Sequence, residues 1–222
     1  MRLLYINPNS TTAMTEAVAT TARAAAAPGT EVLGWTNADG PPAIQGPEDG
    51  AAAVAGLLAL LPAARDAAVD AIVLACFDDT GLSPMRDAAH CPVLGIGQAA
   101  FHMAALLGHR FSVVTTLPVS VPVIEENIAA YGFARHCARV RASGLAVLEV
   151  EAASDATLAR LGAELAEAEA RDGVTAAILG CAGMAPLLPD LARGSGLRLI
   201  DGVAAAAQLA PALVAAARPL RG

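Results

Sequence analysis

Short unbroken apolar runs alternate along this chain with longer alanine-rich stretches whose apolar positions recur every three to four residues. Residues 2–6, Arg-Leu-Leu-Tyr-Ile, read as a buried strand that Asn7-Pro8-Asn9 stops. Residues 12–27 predict a helix ended by Pro28-Gly29. A second strand follows at 31–35, then a Gly- and Pro-rich loop at 37–50 and a helix over 51–68. Further strands are predicted at 71–75, 93–96, 111–114, 138–141, 176–179 and 197–200. The clearest helix is Asp155–Arg171, where Leu158, Leu161, Leu165 and Ala168 share a face and Glu167 pairs with Arg171 one turn on. Strands that are apolar throughout, alternating with helices, mean mostly parallel sheet covered on both faces, the α/β class.

The two halves of this pattern resemble each other. Arg2-Leu-Leu-Tyr-Ile-Asn7 lines up with Arg110-Phe-Ser-Val-Val-Thr115. Cys76 follows one apolar strand and Cys181 another, 74 and 71 residues beyond these two arginines, and a glycine (Gly97, Gly202) stands 21 residues beyond each cysteine. The expectation is two pseudo-symmetric lobes with an active site in the cleft between them. Residues 1–97 with 205–222 form the first and 98–204 the second.

Composition narrows the class. Hydrophobic residues make up 55% and charged residues 16%, too apolar for disorder. The longest apolar stretches, 51–61 and 203–217, are alanine-rich and fall short of the roughly 18–20 strongly apolar residues of a membrane span. A net charge of −7 without a Lys/Arg cluster, and only 3% aromatics, argue against nucleic acid. Arg2 followed by four apolar residues does not fit a secretory leader. The four cysteines, none in a C-x-x-C pair, are therefore expected as free thiols in the reducing cytoplasm.

Ligands of open α/β sheets sit outside the carboxyl ends of the strands. Two thiols arriving there from matched halves suit a stereoinverting proton transfer, one removing a proton from carbon and the other delivering one to the opposite face. Helices starting just downstream would lower the thiol pKa toward neutrality. Taken alone, a cysteine ending an apolar strand is more often a small buried hydrophobe, which is the reading for Cys91 and Cys137. The matched context sets Cys76 and Cys181 apart.

Ile6-Asn-Pro-Asn-Ser-Thr-Thr-Ala-Met-Thr15, Ala75-Cys-Phe-Asp-Asp79, Gly81-Leu82, Gly95-Ile-Gly-Gln-Ala-Ala100, Phe111-Ser-Val-Val-Thr-Thr-Leu117 and Gly180-Cys-Ala-Gly-Met184 carry a resemblance over nearly the whole chain. Together they resemble the hydantoin and allantoin racemases, within the wider aspartate/glutamate racemase superfamily. The resemblance implies a cofactor-independent two-base racemase with Cys76 and Cys181 as the catalytic pair. Asn9, Ser10, Thr115, Thr116 and the backbone around Phe77, Gly183 and Met184 would then line the substrate pocket. It further implies a small ring substrate and a homo-oligomer, with neither nucleic acid nor membrane as partner. The chain departs from the family pattern at three places. Thr80 stands where Asp-Pro-Gly is usual, Gln98 where Glu is common, and Val119 where a basic residue is common. Amino-acid racemases of the superfamily commonly carry Cys-Thr-His at the second cysteine, whereas Cys181 is followed by Ala182-Gly183. Arylmalonate decarboxylase keeps only the second thiol, so the presence of both favours racemisation.

Other signals carry less. Gly95-Ile-Gly97-Gln-Ala-Ala100 fits a dinucleotide fingerprint, but the next strand ends in Thr115-Thr116 with no acid to hold a ribose. Small residues for close helix–strand packing explain it better. Asp78 and Asp79 lack partners at metal-ligand spacing. Asp79 is read as capping the helix after Cys76, while Asp78, counted among the substrate-binding residues, stays open between capping and approach to substrate N–H groups. His90, His102, His109 and His136 are scattered and read as surface or packing residues. Two other functions remain open: isomerisation or decarboxylation of a small dicarboxylate, and non-catalytic binding of a small molecule.

Overall fold

In a computed structural model, which describes residues 1–217, the alternation becomes eight strands and ten α-helices in strict sequence. The first half runs β1 (Arg2–Asn7), α1 (Thr12–Ala25), β2 (Glu31–Thr36), α2 (Pro47–Ala59), α3 (Leu61–Asp66), β3 (Ala71–Leu74), α4 (Leu82–Ala88), β4 (Val93–Gly95) and α5 (Ile96–Leu106). The second runs β5 (Phe111–Thr115), α6 (Val121–Ala130), β6 (Cys137–Ala142), α7 (Val147–Glu151), α8 (Asp155–Arg171), β7 (Ala176–Gly180), α9 (Leu188–Arg193), β8 (Arg198–Asp201) and α10 (Gly202–Ala217). Residues 218–222, assigned from sequence to the first lobe, lie outside the described residues.

Two wholly parallel four-stranded sheets result, ordered β2-β1-β3-β4 and β6-β5-β7-β8. The second repeats the first strand for strand. The central strands have no wet face: Leu3, Leu4, Tyr5 and Ile6 of β1 are fully buried, as are Ile72, Val73 and Leu74 of β3. This is why they read as unbroken apolar runs. The helix expected over 51–68 is instead two. It starts earlier, with Pro47 in the first turn and Glu48 and Asp49 at its positive end, and restarts at Leu61-Pro62. α8 has the boundaries expected, with the Ser154 hydroxyl accepting from the Thr157 N–H and Arg171 on Glu167 at 2.9 Å.

The lobes meet through α5 and α10, whose small side chains let the backbones approach closely. A Cβ on Gly202 would fall 2.4 Å from the Ile96 carbonyl oxygen. Tyr5 of β1 donates its hydroxyl to the Val203 carbonyl at 2.8 Å, and Phe101 of α5 stacks on Phe111 of β5. One apolar core therefore runs from the first sheet through α5 and α10 into the second. It holds the carboxyl ends of β3 and β7 toward a common cavity. Among the described residues, no helix is long and apolar enough to cross a membrane.

Candidate active site

The cavity lies where β1, β3, β5 and β7 end, the edge at which parallel sheets expose unpaired backbone and loops. Its walls are Asn9, Met14 and Ile44, then Ala75 to Asp78, from the first half. Thr115, Thr116, Ser120, Val147 and Gly180 to Ala182 come from the second. Both cysteines that the repeat singles out thus reach one space. Cys181 is buried and Cys76 keeps a partly exposed edge, and all four cysteines of the chain are free.

Each sulfur has two hydrogen-bond donors. The Cys76 sulfur receives the Asp78 N–H and, at 3.4 Å, the Thr80 hydroxyl. The Cys181 sulfur receives the N–H groups of Gly183 and Met184. These two residues belong to the turn of 3-10 helix Ala182–Leu187, and in both halves the chain folds back on itself just after the cysteine. The Asp79 N–H donates to the Cys76 carbonyl and the Met184 N–H to the Cys181 carbonyl, both at 3.0 Å.

The expected lowering of the thiol pKa toward neutrality is not what the structure shows. Burial pushes Cys76 well above the ordinary thiol range, and the Asp78 charge adds to it. Burial likewise pushes Cys181 up to about 11, against the pull of its backbone donors. The reason is local. α4 begins six residues after Cys76, and a 3-10 segment rather than an α-helix follows Cys181, so no macrodipole offsets desolvation.

Asp78 has its carboxyl pushed up to about 6 by burial, partly offset by the Ser120 hydroxyl. Its charge bears on both sulfurs. Asp79 does cap a helix, but not the one after Cys76. Its carboxylate accepts the Gly97 and Gln98 N–H groups at 2.9 and 2.8 Å, the first turn of α5, and the Tyr131 hydroxyl at 3.1 Å. This also accounts for the glycines of the G-x-G-x-x-A segment. A Cβ on Gly95 would lie 2.0 Å from the Asp79 Oδ1, and one on Gly97 would lie 2.3 Å from the Phe77 carbonyl oxygen.

Of the other residues singled out from sequence, Asn9, Phe77, Thr115 and Thr116 line the cavity. Gly183 and Met184 act through their N–H groups on Cys181, while the Met184 side chain is fully buried. Ser10 stands off the cavity wall, and its N–H is given to the Pro41 carbonyl. The Thr115 hydroxyl is committed to the Gly180 carbonyl at 2.8 Å, so it fixes the two strand ends against each other. The Asn9 amide rests on the Met14 sulfur at 3.4 Å, a weak acceptor that it can exchange for a better one. Met14, Ile44, Ser120 and Val147 complete the wall and were missed from sequence. Ile44 arrives on the 37–46 loop, which the Gln45 side chain ties to the Val147 N–H at 3.1 Å. None of the four histidines lines the cavity.

Comparison with known proteins agrees with this fold. The sequence profile described as Asp/Glu/Hydantoin racemase matches residues 3–210. A hydantoin racemase of Rhizobium meliloti is 44% identical over 97% of this chain and 90% of that protein. The structure of allantoin racemase from Klebsiella pneumoniae superposes with a TM-score of 0.92 at 39% identity, covering 100% of this chain and 95% of that one. Allantoin racemase from Pseudomonas fluorescens gives 0.89 at 36% identity, with 97% and 92% covered. These matches place the chain in the Asp/Glu/Hydantoin racemase family, as an isomerase.

Proposed function

We propose that this protein racemises a small ureido ring, a 5-monosubstituted hydantoin or allantoin, without a cofactor, using Cys76 and Cys181 as opposed base and acid. The observation that carries this reading is the convergence of two thiols from matched positions of the two lobes on one cavity, each with two donors. Hydantoin and allantoin racemases are among the similar proteins.

In the step itself, one cysteine as thiolate takes the C5 proton and the electron pair moves into the adjacent carbonyl as an enolate. The opposite thiol then gives its proton to the other face of C5. The first sulfur ends as thiol and the second as thiolate, the state that serves the opposite enantiomer. Asn9 and Thr116, both on the cavity wall, donate to the ring carbonyls in this reading. The Asp78 carboxylate accepts a ring N–H, which draws its charge away from the sulfurs while substrate is bound. A C–H flanked by a carbonyl and an amide nitrogen is already acidic enough to need no imidazole. The lining carries no cation among the described residues, which counts against a dicarboxylate, a substrate that calls for cationic or dense hydroxyl anchoring.

Proton NMR in D₂O across a panel of 5-monosubstituted hydantoins and allantoin tests the substrate class. Loss of the C5–H signal with parallel loss of optical rotation is expected for at least one ring. No exchange with any ring, together with turnover of a malonate or maleate, would overturn the reading.

A further inference from the structure

The two sulfurs obtain their second donor in different ways. After Cys181, successive backbone N–H groups of Gly183 and Met184 both reach the sulfur. After Cys76 the chain leaves that path, because Asp79 takes a left-handed conformation at φ 50° and sends its side chain to the start of α5. The Asp78 N–H remains on the sulfur, and the Thr80 hydroxyl, on a residue only 8% exposed, fills the second place.

We propose that Thr80 is a positioning residue for proton transfer: its hydroxyl orients the Cys76 sulfur and balances it against Cys181. The proposal rests on the two-thiol reading. Balance matters because racemisation uses both protonation states of the pair, and a sulfur that never carries the negative charge closes one direction. Burial, the Asp78 charge from its own loop and Cys181 from the second lobe disfavour the Cys76 thiolate, and the Thr80 hydroxyl, with the Asp78 N–H, opposes them.

The test compares Thr80→Val, which keeps the shape and loses the donor, with Thr80→Ser, which keeps the donor. Iodoacetamide labelling against pH, resolved at each cysteine by mass spectrometry, is read beside the pH–rate profile of racemisation. For Thr80→Val, Cys76 labelling should slow about tenfold at fixed pH, and the acid limb of the rate profile should rise by about one pH unit, as expected for one lost hydrogen bond to a charged group. Cys181 labelling should hold, and Thr80→Ser should behave as the parent. An unchanged Cys76 profile and rate limb in Thr80→Val, or a Thr80→Ser protein that matches Thr80→Val, would overturn the role of Thr80. The two-thiol reading fails separately, if Cys76→Ala or Cys181→Ala racemises normally.

Discussion

Asp78 sits close enough to both sulfurs for its charge to be felt at each, which makes it the natural probe of the cavity's electrostatics. Held up to about 6 by burial, it is ionised above that pH and then disfavours either thiolate. Removing the charge has a definite sign: in Asp78→Asn the pH midpoint for iodoacetamide labelling should fall at both cysteines, by about one unit. This separates it from Thr80→Val, where Cys76 alone should move, and upward. An unchanged or raised midpoint in Asp78→Asn would show that its charge does not govern the thiols. Asp79, its neighbour, is pushed up to about 7 by burial and does a different job, holding α5 through two N–H groups. Adjacent carboxylates of the same kind thus divide between the cavity wall and the start of α5 because a left-handed backbone turns one of them away.

At the scale of elements, the account rests on close approach between α5 and α10. Gly202→Ala would place a Cβ against the Ile96 carbonyl, a backbone atom that cannot yield cheaply, and should destabilise by about 2–3 kcal/mol. Gly162 lies in α8 with no atom near its would-be Cβ, so Gly162→Ala should stabilise by about 0.5–1 kcal/mol. Urea denaturation of both variants checks the pair, and equal effects would contradict the packing argument. The elements themselves were largely legible. All eight strands stand within a residue or two of the runs that predict them, because a strand buried on both faces leaves no polar positions to confuse the pattern. The helix split at Leu61-Pro62 was not, since periodicity alone does not register a break that leaves the apolar face in line. Nor was the reach of Asp79 to a helix beginning 17 residues on, which only the folded chain reveals.

Across the whole molecule, the site was legible wherever it repeats and hidden wherever it does not. Cys76 and Cys181 announce themselves because two lobes of one topology carry them at the same place. Ile44, Ser120 and Val147 come from loops and short helical turns unlike between the halves, and only the folded arrangement of the two lobes brings them to the cavity. The thiol pKa was misjudged for the same reason, since the burial that raises it belongs to the assembled cavity and not to either strand end. The central claim is that the two sulfurs work from opposite faces of one carbon. Its most direct test follows C5 deuterium exchange, enantiomer by enantiomer, for wild type, Cys76→Ala and Cys181→Ala. The substrate is a hydantoin that wild type turns over, at a pH where uncatalysed exchange is slow. Racemisation should fall by at least about 1,000-fold in both variants. Each should still exchange one enantiomer without inverting it, and the two variants should choose opposite enantiomers. Racemisation at the wild-type rate in either variant, or exchange of the same enantiomer by both, would contradict the account.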